Sequence, residues 1–165
     1  MRYHNIERCS LVNGPGVRTV LWVAGCEHMC PGCQNPCTWD SNGGIFFDAK
    51  AEAELFDYLS NKYCQGITFS GGDPLHHSNR DEIGRLAKKV KDLYPQKDIW
   101  LYTGYTWSEI LDLDLEWLSF IDVVVEGRFV LEKRNVELMW RGSDNQNVVS
   151  VKESKERGEL VPYCL

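Results

Sequence analysis

The loop Cys26-Glu27-His28-Met29-Cys30-Pro31-Gly32-Cys33 sets three thiols four and then three residues apart, directly after an apolar run, and it limits this chain more than any other stretch. Thiolates are the preferred donors for soft metal centres and iron-sulfur clusters. Three donors are one short of a closed tetrahedral site. A [4Fe-4S] cube held by three cysteines leaves one iron open to a small molecule, whereas a structural zinc site needs a fourth protein ligand, which Cys37 could supply. Spacing alone leaves both the cluster and the four-cysteine zinc knuckle open. The chain has seven cysteines in all, and crowding three or four of them into one loop favours metal over disulfides. Cys9, Cys64 and Cys164 read as bystanders.

Around this loop the pattern predicts alternating strands and helices. Residues 17–24 are β-branched and apolar and bounded by glycines, the signature of a buried first strand that feeds the cysteine loop. Residues 48–63 place Leu55, Phe56, Leu59 and Tyr63 at helical spacing behind an Asp48 N-cap. A short strand at 66–69 runs into Gly71-Gly72-Asp73-Pro74. Asn79 with Glu82 reads as a capping box for a helix that ends before Pro95. A third strand is expected at 98–102, and Thr106 with Glu109 repeats the capping pattern for a short helix. Strands at 121–125 and 147–151 follow. This alternation implies βαβ units around a parallel sheet. A closed eight-stranded barrel needs about 250 residues and rarely fewer than about 200. The 165-residue chain is therefore expected to be α/β, an incomplete, open (β/α) barrel of about five parallel strands, in a single domain with a charged tail from about residue 152.

Composition removes some function classes. The net charge of −6 argues against a nucleic-acid partner, whose phosphates demand a basic face. No apolar run approaches the ~20 residues that cross a bilayer, and Met1-Arg2-Tyr3-His4-Asn5 has no signal-peptide pattern, so a cytoplasmic protein without membrane partners is expected.

Several further motifs, in order, carry a resemblance. The run Asn13-Gly14-Pro15-Gly16-Val17-Arg18 leads through Gly25-Cys26 to Asn35-Pro36; Ser70-Gly71-Gly72-Asp73-Pro74-Leu75, Ile99 to Tyr105 and Trp140-Arg141-Gly142-Ser143-Asp144-Asn145-Gln146 follow. Together with the CxxxCxxC loop, this set resembles the glycyl-radical activases of the radical S-adenosylmethionine (SAM) superfamily, over nearly the whole of residues 13–146. The resemblance implies a partial barrel and a [4Fe-4S] cluster on Cys26, Cys30 and Cys33, with Cys37 a non-ligand. It implies that SAM chelates the open iron and is cleaved reductively. The protein substrate it implies is an anaerobic ribonucleoside-triphosphate reductase, with an electron donor such as flavodoxin or ferredoxin. Cofactor contacts are expected from Gly32, Cys33 and Gln34, from Gly71, Gly72 and Asp73 at the SAM amino end, and from Thr103 near the ribose. The residue before the third cysteine is often aromatic in that superfamily; here it is Gly32, so adenine contacts must come from elsewhere.

Read without the resemblance, the same residues are plainer. Gly71-Gly72-Asp73 is a turn, Arg18 an exposed strand residue, His28 a spacer, and His76 and His77 surface residues; Arg141 to Gln146 is either a structural loop or a partner contact. Two rival functions stand beside the leading one: activation of a different glycyl-radical enzyme, and a non-enzymatic zinc-binding adaptor.

Overall fold

A computed structural model describes residues 1–164. Its strands are β1 (Arg2–Ser10), β2 (Arg18–Val23), β3 (Ile45–Phe46), β4 (Gly66–Gly71), β5 (Asp98–Tyr102), β6 (Val123–Glu126) and β7 (Asn147–Ser150). The helices are α1 (Ala49–Ser60), α2 (Arg80–Leu93), α3 (Trp107–Asp112) and α4 (Val151–Arg157), so the charged segment from 152 is helical as far as Arg157. All seven strands form one sheet in the order β3-β1-β2-β4-β5-β6-β7. Neighbours β2, β4, β5 and β6 run parallel, whereas β1 pairs antiparallel with β2 and β3, and β7 antiparallel with β6.

This corrects the expected open barrel of about five parallel strands: the fold is a seven-stranded mixed sheet. Connection length explains the change. A parallel crossover takes a dozen or more residues, usually a helix, and only residues 11–17 separate β1 from β2. The chain therefore turns back on itself there. Residues 127–146, between β6 and β7, are long enough for a crossover but contain only one 3-10 turn at Leu131–Lys133. They return β7 beside β6 in the opposite direction.

Because side chains alternate across a strand, β5 sends Ile99 and Leu101 to one face and Trp100 and Tyr102 to the other; both sets are packed. The first face holds the main core beneath α1, α2 and α3, with Leu55, Leu59, Ile83, Leu86 and Ile110 fully buried. The second, inner face is smaller. There Trp100, Val123 and Val125 pack with Tyr102, Trp140 and Tyr163. Rows of residues cross this face in register: Arg18 opposite Gly66, then Val20 opposite Thr68 and Thr68 opposite Trp100, then Trp22 opposite Ser70 and Tyr102 opposite Val125. The last row lies at the C-terminal ends of the parallel strands, where ligands bind in open α/β sheets.

Two of the three helix caps expected from the sequence form. Asp48 caps α1 by accepting from the amides of Lys50 and Ala51, and Thr106 with Glu109 forms a full capping box on α3. The box expected of Asn79 and Glu82 is absent. The Asn79 amide instead donates to the carbonyls of Ala24 and Asp73, tying α2 to the loops above the sheet. Among the described residues, no helix is long and apolar enough to cross a membrane.

Candidate functional site

The cysteine loop rises from the C-terminal end of β2. Its neck is closed where Gly25 and Cys26 donate their amides to the carbonyls of Thr38 (2.8 Å) and Trp39 (3.0 Å). The loop after β4 docks against this neck, with the Gly72 amide on Val23 O and the Asp73 amide on Gly25 O. Gly72 is required by this approach, since a Cβ there would stand 2.5 Å from the Gly25 carbonyl oxygen.

Asp73 is 1% exposed and its carboxylate is fully engaged. It accepts from the Leu75 amide (2.8 Å), the Thr103 hydroxyl (2.9 and 3.0 Å), the Gly104 amide (2.9 Å) and His28 Nε2 (2.8 Å). One buried carboxylate thus joins the cysteine loop, its own loop and the end of β5. Its partner His28 has a defined tautomer. Arg128 Nε–H donates to His28 Nδ1 (3.1 Å), so the ring proton sits on Nε2 and points at Asp73. Gly104 lets the imidazole lie against the strand end, because a Cβ there would fall within 2.3 Å of the ring.

Between these loops and the inner face lies a cavity of about 390 Å³, within the range that encloses a drug-sized molecule. Cys26, Cys30, Cys33, Gln34, Gly71, Gly72, Asp73 and Thr103 all border it. Gly32 does not; the Leu131 side chain takes the space beside it. The floor is Trp22, Ser70, Tyr102 and Val125, and one wall is Trp140, Arg141, Gly142 and Gln146. That wall is held by Gln146, whose side chain accepts from the amides of Gly142 and Ser143 and donates to Gly127 O. Two of the three non-glycine residues with positive φ, Met29 (43°) and Trp140 (61°), sit on segments that border the cavity. Such strain, on the order of 1 kcal/mol per residue, clusters at functional sites. The Tyr102 hydroxyl is buried and, among the described residues, has no hydrogen-bond partner.

The sulfur donors suit a cluster better than a single ion. Two thiolates on one tetrahedral zinc lie about 3.8 Å apart, given Zn–S bonds of about 2.3 Å. Among the described residues, the only set of three or more candidate ligand atoms mutually within 4.8 Å is Glu27, His76 and His77, so the thiols of the loop are spread too widely to close on one ion. A cube of iron and sulfide holds its cysteines further apart. Cys37 is exposed in the 3-10 turn Pro36–Thr38 and does not border the cavity. Cys33 Sγ accepts the Asn35 amide at 3.3 Å, the kind of hydrogen bond that tunes a cluster sulfur. Burial pushes the Cys26 thiol up to about 11, with the fields of Asp73 and Cys30 adding to the rise and the amides of His28 and Met29 opposing it. A bound cationic centre reverses that balance by holding the deprotonated sulfur.

Arg18 lies elsewhere. It is fully buried at the N-terminal ends of the strands, on Thr68 Oγ1, Asp98 Oδ1 and the carbonyls of Pro15, Ile67 and Asp98, so it is not the exposed strand residue expected, and it does not border this cavity. Arg128 is the site component that lies outside every motif the sequence offered, and His28, within the cysteine loop, reads there only as a spacer. Tyr102 and Trp140 fall within motifs that the sequence marks.

The comparisons agree with this geometry. The model of the 4Fe-4S single cluster domain family matches residues 12–149. An anaerobic ribonucleoside-triphosphate reductase-activating protein of Enterobacteria phage T4 is 45% identical over 91% of this chain and 94% of its own length. Proteins of the same name from Escherichia coli K12 and Vibrio cholerae are each 41% identical, over 90% and 88% of this chain and 97% and 96% of theirs. With this coverage, and with three cysteines spread around one cavity, the chain belongs to the 4Fe-4S single cluster domain family and, within it, to the anaerobic ribonucleoside-triphosphate reductase-activating proteins.

Proposed function

We propose that this chain is a radical SAM activase, in a single domain, that generates a glycyl radical on an anaerobic ribonucleoside-triphosphate reductase. The observation that carries the reading is the convergence of Cys26, Cys30 and Cys33 with the Gly71-Gly72-Asp73 loop on one cavity, with thiols too dispersed for a lone ion. Cys26, Cys30 and Cys33 would hold a [4Fe-4S] cluster with one iron left open, and bound there it would supply the single electron for reductive cleavage of SAM and, through that cleavage, hydrogen-atom abstraction from the substrate glycine.

The chain's own residues bind, orient and shield. The Asp73 carboxylate has its acceptor capacity taken by four protein groups. The amino end of SAM is therefore assigned to the backbone of Gly71 and Gly72 where it borders the cavity. The Thr103 hydroxyl is likewise spent on Asp73, so Thr103 offers the ribose its backbone and methyl group. The orphan Tyr102 hydroxyl supplies a buried polar contact for a bound molecule, since buried polar groups are seldom left unpaired. Gln34, exposed at the rim, and Trp140, on the wall, are the assigned neighbours of the adenine. The electron enters from a small low-potential carrier of the flavodoxin or ferredoxin type.

The test mixes the reconstituted protein anaerobically with a cognate reductase, SAM and a strong reductant, and records electron paramagnetic resonance. A SAM-dependent organic doublet that vanishes in Cys30→Ala is expected. SAM cleavage with no radical on the reductase would show that the substrate is another molecule.

A further inference from the structure

Glu27, the residue after the first cysteine, does not border the cavity; its carboxylate meets two histidines from the loop after Asp73. Glu27 Oε1 lies 3.4 Å from His76 Nε2 and 3.5 Å from His77 Nδ1, and all three ligand atoms are mutually within 4.8 Å. These separations are long for N–H···O hydrogen bonds, which cluster at 2.7–3.2 Å. They match ligands sharing one ion. Two donors each about 2.0–2.1 Å from a tetrahedral zinc stand about 3.4 Å apart.

His76 is held by a relay that sets the orientation of its ring. Asn79 spends its amide hydrogens on Ala24 O and Asp73 O, so its Oδ1 accepts from the Ser78 hydroxyl (3.3 Å). Ser78 holds His76 Nδ1 from two sides, with its hydroxyl 2.7 Å away and its amide N–H donating to the same nitrogen at 3.3 Å. Nε2 is the nitrogen aimed at Glu27, and an ion bound there would leave Nδ1 to donate to the Ser78 hydroxyl. A hydrogen-bonding partner on the second ring nitrogen is the usual support of a ligating histidine. The histidine itself is buried, while Glu27 and His77 are 65% and 64% exposed in their side chains, so an ion can enter from solvent.

We propose that Glu27, His76 and His77 form a second metal site, separate from the cysteines, for a divalent transition ion of the zinc class, with water in the fourth position. Two imidazoles and one carboxylate are a common zinc donor set. The ion fastens the residue next to Cys26 onto the loop that follows Asp73 and so clasps the cysteine loop from outside.

The test uses anaerobic, cluster-loaded protein dialysed against zinc, with zinc and iron counted per chain and the zinc environment read by X-ray absorption. Wild type is expected to hold one zinc with nitrogen and oxygen ligands, no sulfur among them, and an unchanged iron count. Glu27→Gln and His77→Ala, both at exposed positions, each weaken zinc binding at least tenfold. The proposal is overturned by wild type that takes up no zinc, by sulfur at the zinc or iron lost as zinc enters, or by both variants binding zinc as tightly as wild type.

Discussion

Asp73 and Arg18 sit at opposite ends of the same parallel strands, both buried and both saturated with hydrogen bonds, yet they hold together different things. Arg18 spends its donors on strand backbone, Thr68, Asp98 and the 11–17 connection, with the Trp100 ring 5.5 Å away. Asp73 gathers three loops, and every group it touches stands on or beside the wall of the cavity. Equal burial and equal bonding therefore support a foundation at one end and a reaction chamber at the other; what distinguishes them is the kind of chain each side chain ties.

The sharpest way to break this comparison is to weaken each hub and read activity apart from stability. Asp73→Asn puts an amide N–H where His28, Thr103 or Gly104 now donates. Displacing loops by as little as 1 Å can lower a rate by about 100-fold, and a loss of that order in radical yield, with the cluster still assembled, is expected. Activity within a factor of three of wild type would show that the carboxylate is merely structural. Arg18→Met should act in the opposite sense. Leaving Asp98 and the strand carbonyls without their partner costs about 3 kcal/mol, or roughly 6–12 °C in Tm for a chain of this size. Radical yield per folded molecule should be unchanged, and a selective loss of yield would dissolve the distinction between the two ends.

A third charged hub sharpens the contrast because it lies on the surface. Glu52 on α1 takes Arg85 and Lys89 from α2, and the Arg85 hydrogen bonds hold its carboxyl below the usual 4.5. A carboxyl with a depressed folded value stabilises fully above its unfolded value and loses that contribution as pH falls through the folded one. Its exposed partners limit the gain to about 0.5 kcal/mol. The Tm difference between wild type and Glu52→Gln should therefore be small at pH 7 and vanish toward pH 3; a difference that grows on acidification would reverse the assignment.

Much of the parallel centre was legible because its strands carry plain local signals. Strand β5 falls on residues 98–102 as expected, β2 lies within the predicted 17–24 run, and the Thr106 box forms. Strand β1 was not anticipated. Its register breaks between Tyr3 and Asn5 and between Glu7 and Ser10 destroy the two-residue alternation that marks a half-buried strand. The direction of β7 was equally hidden, because alternation shows that a strand exists and not which way it runs. At the site, the cysteines announced themselves by spacing. His28 did not: its partners lie 45 and 100 residues away, and nothing local in Glu27-His28-Met29 marks a contact with Asp73 or Arg128. Asn79 misled for a related reason, since its neighbours suggested a cap while its side chain was committed to two distant carbonyls.

The Asp73 junction also imposes an order on biosynthesis. The chamber closes only when residues 26 to 104 are all present, because the last donors to the carboxylate are Thr103 and Gly104. At ~5–20 residues per second, the cysteines leave the ribosome several seconds before the group that fixes their loop exists. Through that interval the thiols are without their pocket, so a cluster held by them would find its finished site only after residue 104 has left the ribosome.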